Sequence, residues 1–562
     1  LADNFLVEQK QQARRRVLLN LSLSLFSGIL LGFSFPPFKL GILACFGFVP
    51  FFILLDRIEK YGRALRYSYL TFFIFNVISI GWIGGWTVAT DIFLMIGCLI
   101  LLLMHPFFFC VPVFVYLFTK KHLGERIALA AFPFFWVAFE YLHSLGELAF
   151  PWLTLGNTQT YDIYRIQYIT YTGVYGISFW ILWMNVAFYF LYTKLAHREW
   201  RNFSWQSITT VIVVLLLYLL PQFYSWRVMP ASEPEYPKLK VGIVQPHIDP
   251  WKKWEMSGFE QVQLCLAMAK GLAAKNDLDL VIWPETAITY YILLPRYHQD
   301  YNMLKQAIDT LNIPLLTGFP DVTYYLSKKD APPGSKQISG TDQFYDSFNS
   351  IMLLEPNSYV VQRYHKIKLV PFSERVPYAE TLTFLVDLVK WNVGLSGWGI
   401  GKDSTIFEIH NLRSGSAYVA RFWAMVCYES IYADFVSAFV KKGAQFLIIV
   451  TNDSWWGKSS GPYQHAQYAV LRAIENRRSI ARCANGGISC FIDAYGRMIN
   501  PTELYTRAAI VGEVELRDEL TFYTKHGDVF AISCSYVSGI IFILGIVIKI
   551  KKWAIPLVQT KS

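Results

Sequence analysis

Charge is scarce in this chain. Only 16% of its 562 residues are Asp, Glu, Lys or Arg, and 54% are hydrophobic, where a soluble domain carries about 25% charged residues. An ordinary soluble enzyme is excluded. Cysteine is also sparse for the length: there are eight, with no C-x-x-C pair and no Cys/His spacing of a zinc site. A disulfide scaffold is therefore excluded, and neither a metal nor another cofactor is expected. Internal repeats and low-complexity tracts are missing too. What abounds is aromatic: 43 Phe, 34 Tyr and 18 Trp, far too many for a disordered chain. The net charge is +10, a balance that on its own suits nucleic acid. Its placement argues for a membrane instead, so no nucleic-acid partner is expected. Leu1 is not Met, and a native start upstream of it is expected.

Long apolar runs lie at Val17–Phe35, Leu40–Leu55, Tyr67–Trp86, Ile92–Phe118, Ile127–Leu142, Gly173–Thr193, Ser207–Tyr224 and Val529–Ile548. Most have the roughly 17–25 residues needed to cross about 30 Å of hydrocarbon as helix. The second and fifth are short, as a tilted or re-entrant segment is. Eight spans are expected. Arg14, Arg15 and Arg16 precede the first run; Arg57, Lys60, Arg63 and Arg66 follow the second; Lys120, Lys121 and Arg126 follow the fourth. Lys194, Arg198 and Arg201 follow the sixth, and Lys549, Lys551 and Lys552 the eighth. The alternate loops hold little beyond Lys39 and Arg165. This positive-inside pattern places both termini in the cytoplasm and the region between spans seven and eight outside. No cleavable signal peptide is visible, so the first span is expected to act as its own export signal.

From Pro234 to Phe522 the character changes. Short β-rich runs, Leu239–Gln245, Leu278–Trp283, Ile313–Gly318, Asn349–Leu354, Ala424–Tyr428, Phe446–Thr451 and Ile488–Asp493, alternate with helical stretches such as Phe259–Ala274. That alternation indicates an α/β or α+β domain with buried sheets. The expected partition is a seven-span membrane domain over 1–225, an extramembrane domain over 226–525, and a last transmembrane helix with its tail over 526–562.

Three segments carry chemistry. Val281-Ile-Trp-Pro-Glu285 sets a carboxylate just past an apolar strand. Tyr364-His-Lys366, followed by Leu369-Val-Pro-Phe-Ser-Glu374, puts a lysine and a second carboxylate in one loop. Ala424-Met-Val-Cys-Tyr-Glu-Ser430 ends a strand on Cys427. A free cysteine there is more often a small core residue than a nucleophile. A thiol also needs a base or a neighbouring cation to react near neutrality, and the other two segments supply both types. Glu285 beside Trp283 suits a base with a raised pKa, and Lys366 suits oxyanion stabilisation.

In that order the three segments resemble the nitrilase superfamily signature, which implies an αββα sandwich and a Glu285–Lys366–Cys427 triad. The runs Thr451-Asn-Asp-Ser-Trp-Trp-Gly457 and Gly461-Pro-x-Gln-His465 match as well. With that domain set between seven spans and one, nearly the whole chain resembles the apolipoprotein N-acyltransferase family. Phe150-Pro-Trp-Leu153, Gly156, Glu140, Gln245 and Lys253-Trp254-Glu255 share in the likeness. Ser373 departs from it, where the family usually has Gly, as does His143, where an Arg often stands.

The resemblance implies a ping-pong acyltransferase of the bacterial inner membrane with its catalytic domain in the periplasm. Its donor is a phospholipid, and its acceptor is the α-amine of diacylglyceryl-cysteine in an apolipoprotein. Glu374, Tyr428, Glu429, Trp254 and Asn349 are expected as supporting or substrate-binding residues. His465 is expected to be structural, Cys483 and Cys490 to be buried, and Trp455 and Trp456 to be core or an interfacial pair. The apolar Leu382–Trp398 stretch suits a core helix or an arm or lid dipping toward lipid, and the second is the preferred reading. Two alternatives stay open: a membrane-tethered nitrilase-type amidase or hydrolase, and a non-catalytic lipid-binding or transport protein.

Overall fold

The computed structural model describes every residue except 1, 87–91, 197–204, 231–234, 251–252, 254–256, 333, 379–396, 411–418 and 560–562. Among the described residues, six helices are long and apolar enough to cross a membrane: Asn4–Phe33, Tyr61–Gly84, Leu94–Leu123, Val174–Ala196, Ile208–Val228 and Val529–Lys552. The two short runs account for the difference from the eight expected. Leu40–Leu55 is broken into a 3-10 turn, a four-residue helix and the helix Val49–Asp56. Asn185 covers the break, accepting from Phe48 N at 2.8 Å and donating to Ala44 O at 2.7 Å. Backbone groups at membrane depth need such partners because lipid offers none. The fifth run is the helix Glu125–His143, whose polar residues dilute its apolar character.

Helix faces sort by neighbour. The central window of Val174–Ala196 is 72% buried within the protein, whereas that of Ile208–Val228 is 6% buried. The first is walled by other helices; the second turns its Leu, Ile and Val outward, as a lipid-facing helix does.

The extramembrane region is a two-sheet sandwich. Its strands are β1 (Lys238–Gln245), β2 (Leu280–Ile282), β3 (Leu315–Tyr325), β4 (Lys336–Gln337), β5 (Phe344–Leu354), β6 (Val361–His365), β7 (Phe407–Ile409), β8 (Ala420–Val426), β9 (Phe446–Thr451), β10 (Ile480–Ala484), β11 (Cys490–Ile492), β12 (Met498–Ile499) and β13 (Ala508–Glu515). One sheet runs β13-β1-β2-β3-β5-β4 with β6 paired to β5, and the other runs β12-β11-β10-β9-β8-β7. β1 packs on β10 and β5 on β8 across the sandwich. Helices Gly258–Ala273 and His298–Leu311 cover the first sheet, and Ala433–Lys441 and Ser460–Asn476 the second. In both sheets the central strands are parallel: β1-β2-β3 and β8-β9-β10. Strands of that kind are buried on both faces and read as unbroken apolar runs, which is why Phe446–Thr451 is legible to the residue. The antiparallel β6, β7 and β13 alternate or carry charge, and went unread, as did the short β10.

Candidate active site

The site forms where strands end. β2 leads into Trp283, Pro284 and Glu285, and Gly318 on β3 allows the turn to seat. A Cβ on Gly318 would lie 2.5 Å from Thr286 N and 2.8 Å from Glu285 Cα. Glu285 is nearly buried, and both its oxygens are held. Oε1 accepts from Asn349 Nδ2 at 2.7 Å, and Oε2 accepts from the Asn452 backbone N–H at 3.0 Å. Burial raises its carboxyl above the ordinary carboxylate range, against the pull of Lys366.

Lys366 follows β6 and is 1% exposed. Its Nζ lies 2.8 Å from Glu374 Oε1 and 3.8 Å from Glu285 Oε1. Burial alone favours the neutral amine. Here the two carboxylates outweigh burial, and the lysine is held above its ordinary pKa and charged. Asn349 Nδ2 also donates to Glu374 Oε1 at 3.2 Å, so one amide fixes both acids. Its Oδ1 has no partner among the described residues.

Cys427 is the first residue beyond β8 and opens the turn Cys427–Ile431 at φ +50°. A non-glycine residue pays roughly 1–3 kcal/mol for that conformation and keeps it only where its surroundings impose it. The side chain is half-buried. Burial, then Glu285, push the thiol well above its ordinary pKa, while Lys366 opposes them. The resting group is therefore a thiol that needs a base; Glu285 and Asp453 are both carboxylates within its electrostatic reach, Glu285 the stronger influence.

Glu429 ties the halves of the site together and is fully buried. Its Oε2 accepts from Val426 N at 2.9 Å, just before the cysteine, and its Oε1 from Tyr364 Oη and Ile367 N, each at 2.7 Å, around the lysine. Tyr428 turns to the membrane domain, donating to Ala149 O at 3.1 Å. Trp254 lies outside the described residues. So does most of Leu382–Trp398; Gly397 and Trp398 close that segment by donating their N–H groups to Glu374 O at 2.9 and 3.2 Å.

A second cluster stands beside the first. One donor atom from each of Cys427, Asp453 and His465 lies within 4.8 Å of the other two. Protein partners already engage it: Asp453 Oδ2 meets Arg482 at 2.7 Å, and Oδ1 meets His465 Nδ1 at 2.8 Å. His465 Nε2 is 3.1 Å from Cys427 O. The cluster braces the backbone of Cys427. Sequence reasoning missed Asn452, because a main-chain donor carries no residue signature. It also missed Arg482, which stands in an otherwise apolar strand.

The fold is of the nitrilase-superfamily kind, and the Carbon-nitrogen hydrolase family model matches residues 240–519. The Apolipoprotein N-acyltransferase N-terminal domain model matches residues 27–187. Similar proteins are the apolipoprotein N-acyltransferases of Chlorobaculum tepidum, 36% identical over 94% of this chain and 96% of that one, and of Geobacter metallireducens, 31% identical over 91% and 92%. The chain belongs to the apolipoprotein N-acyltransferase family, and it is a membrane protein.

Proposed function

We propose that this enzyme moves an acyl chain from a phospholipid to the N-terminal α-amine of a diacylglyceryl-cysteine apolipoprotein, through a thioester on Cys427. The observation that carries the reading is the meeting of a buried base, a clamped ammonium and a strained cysteine on a chain with six span-length apolar helices. Glu285 takes the Cys427 proton as sulfur attacks the ester carbonyl. Lys366 faces the oxyanion, and its charge survives burial because Glu374 and Glu285 flank it. Collapse breaks the acyl C–O bond, and the departing lysophospholipid oxygen receives the proton from Glu285. The amine then attacks the thioester and loses a proton to Glu285; collapse breaks the acyl C–S bond, the amide leaves, and Glu285 returns that proton to the Cys427 sulfur. Glu374, Asn349 and Glu429 hold these groups, with Tyr428 and Trp254 as supporting residues.

The same proposal includes the division into a membrane domain over 1–225, a catalytic domain over 226–525 and a closing helix and tail over 526–562. The Lys/Arg asymmetry supports cytoplasmic termini and a periplasmic catalytic domain in the bacterial inner membrane.

Phospholipid alone should convert the protein to an adduct heavier by one acyl group on Cys427, read by intact mass. Neutral hydroxylamine should remove it. A diacylglyceryl peptide with a free α-amine should discharge it, and an N-acetylated one should not. Cys427→Ala should form no adduct. Steady fatty-acid release without an adduct would mark a hydrolase instead. Turnover should fall at acid pH as Glu285, raised by burial, becomes protonated.

A further inference from the structure

Gln464 sits on the catalytic domain's helix Ser460–Asn476 and spends its whole amide on the membrane domain. Its Oε1 accepts from Trp152 Nε1 at 2.7 Å and Trp82 Nε1 at 3.0 Å. Its Nε2 donates to Ser79 O at 2.8 Å and Pro36 O at 2.9 Å. An amide offers two donors and two acceptor sites, and all four are filled by groups 312 to 428 residues away in sequence. The side chain is 1% exposed.

The next residue reaches the nucleophile. His465 Nε2 lies 3.1 Å from Cys427 O. A carbonyl oxygen only accepts, so Nε2 carries the proton in that bond. Ser430 Oγ donates to the same carbonyl at 2.8 Å. The peptide that closes the left-handed turn at Cys427 is thus gripped by a residue whose neighbour is bolted to the membrane helices. Trp152 completes the link. It packs on His465 with ring centroids 5.7 Å apart and lies parallel to Tyr428 at 6.4 Å, while its N–H goes to Gln464.

We propose that Gln464 is a positioning residue for the acyl-transfer reaction: through Trp152 and His465 it makes the reactive conformation of Cys427 depend on docking of the membrane domain. The membrane domain then does more than deliver lipid. It helps hold the strained turn, so an undocked catalytic domain keeps its triad residues and loses thiol reactivity. This rests on Cys427 being the nucleophile.

The test uses the full-length protein in detergent micelles, with Gln464→Met, which keeps the bulk and removes the amide, and Gln464→Glu, which keeps the acceptors and loses the donors. Iodoacetamide labelling of Cys427, timed by intact mass with peptide mapping, is read beside acyl transfer and thermal unfolding. Gln167→Ala is the comparison variant. It removes a contact to Arg477 at the far end of the same helix, remote from the site. We expect Gln464→Met to slow both Cys427 alkylation and kcat at least tenfold, with KM for phospholipid within twofold. Gln464→Glu should fall between it and the parent, and Gln167→Ala should keep the parent's alkylation rate. Where Gln464→Met fails to fold, Gln464→Glu carries the same reading, supported by Trp152→Phe, which removes the indole N–H together with part of the ring packed on His465. Alkylation within twofold of the parent in the folded variants, with only the unfolding temperature lowered, overturns the proposal. Full acyl transfer after complete alkylation of Cys427 would instead sink the thioester reading itself.

Discussion

Two polar helices of the catalytic domain meet opposite fates. His298–Leu311 fully buries only Leu304 and Ile308 and leaves Asp300, Lys305 and Asp309 partly exposed. Ser460–Asn476 buries 14 of its 17 residues, among them Gln464, His465, Arg472, Glu475 and Asn476. Both cover a sheet on one side. The second also carries the membrane domain on its other side, and the charged and amide side chains it buries all have partners, while Tyr468 Oη has none among the described residues. Arg472 meets Glu475 through Nε at 2.6 Å and Nη2 at 2.8 Å, and donates from Nη1 to Ile431 O at 2.8 Å. Glu475 Oε1 accepts from Val174 N at 2.9 Å, at the first residue of a membrane-spanning helix. The difference teaches that polar residues on a helix report exposure only where nothing docks on them. Where something does, they become the fastening.

Breaking the fastening should have the largest effect. Arg472→Met leaves the Glu475 carboxylate buried without its cation, which costs about 3–5 kcal/mol. Thermal unfolding in detergent should show a large drop for this variant, and a drop like that of a surface variant would erase the contrast between the helices.

Asp453 comes next. Burial disfavours its charge, but Arg482 and His465 outweigh burial and hold its carboxyl well below the usual range. A depressed folded pKa stabilises above the unfolded value of about 3.9, and that stability is lost as pH falls toward the folded value. Asp453→Asn should therefore lower the unfolding temperature most at neutral pH, by the equivalent of about 2 kcal/mol. The gap to the parent should close below about pH 4.

Asp528 sharpens the comparison from the opposite side. It lies where Phe522–His526 meets the last span and takes a hydrogen bond from Tyr523 at 2.7 Å. Burial raises its carboxyl to about 7. A raised acid destabilises the fold progressively as pH climbs from the unfolded value to the folded one. Asp528→Asn keeps the acceptor and removes that penalty. It should unfold at a higher temperature than the parent at pH 8, by the equivalent of about 1 kcal/mol, and equally with it at pH 4.

The smallest effect belongs to the exposed helix. Lys305 and Asp309 form an i,i+4 pair there. Lys305→Ala should cost about 0.5 kcal/mol or less, and less again at high salt.

Much of this protein is written along the chain. Apolar length and the spacing of Lys and Arg mark the spans, because a bilayer demands a fixed thickness of hydrocarbon and sorts charge by side. The parallel strands announce themselves as runs like Phe446–Thr451, since both faces must be dry. Glu285, Lys366 and Cys427 stand out in local motifs, and in the fold each lies just beyond a strand end. Cys483 and Cys490 are buried as expected. Trp456 proves interfacial, packing edge-on against Trp82 of the membrane domain at 5.2 Å.

Only the tertiary structure decided the rest. Glu140 reads as an ionisable group in a span, a sign of a polar cavity or an interface. In the fold it is buried and accepts from Leu155 N at 2.7 Å and Trp136 Nε1 at 2.9 Å, tying the outer loop to its helix. The backbone of Asn452 at Glu285, the left-handed turn at Cys427 and the four-way grip of Gln464 also join groups far apart in sequence. Composition and periodicity record what a residue prefers among its near neighbours. They do not record which distant backbone carbonyl or carboxylate will be waiting when the sandwich closes on the membrane helices, and the geometry of this site is made of such meetings.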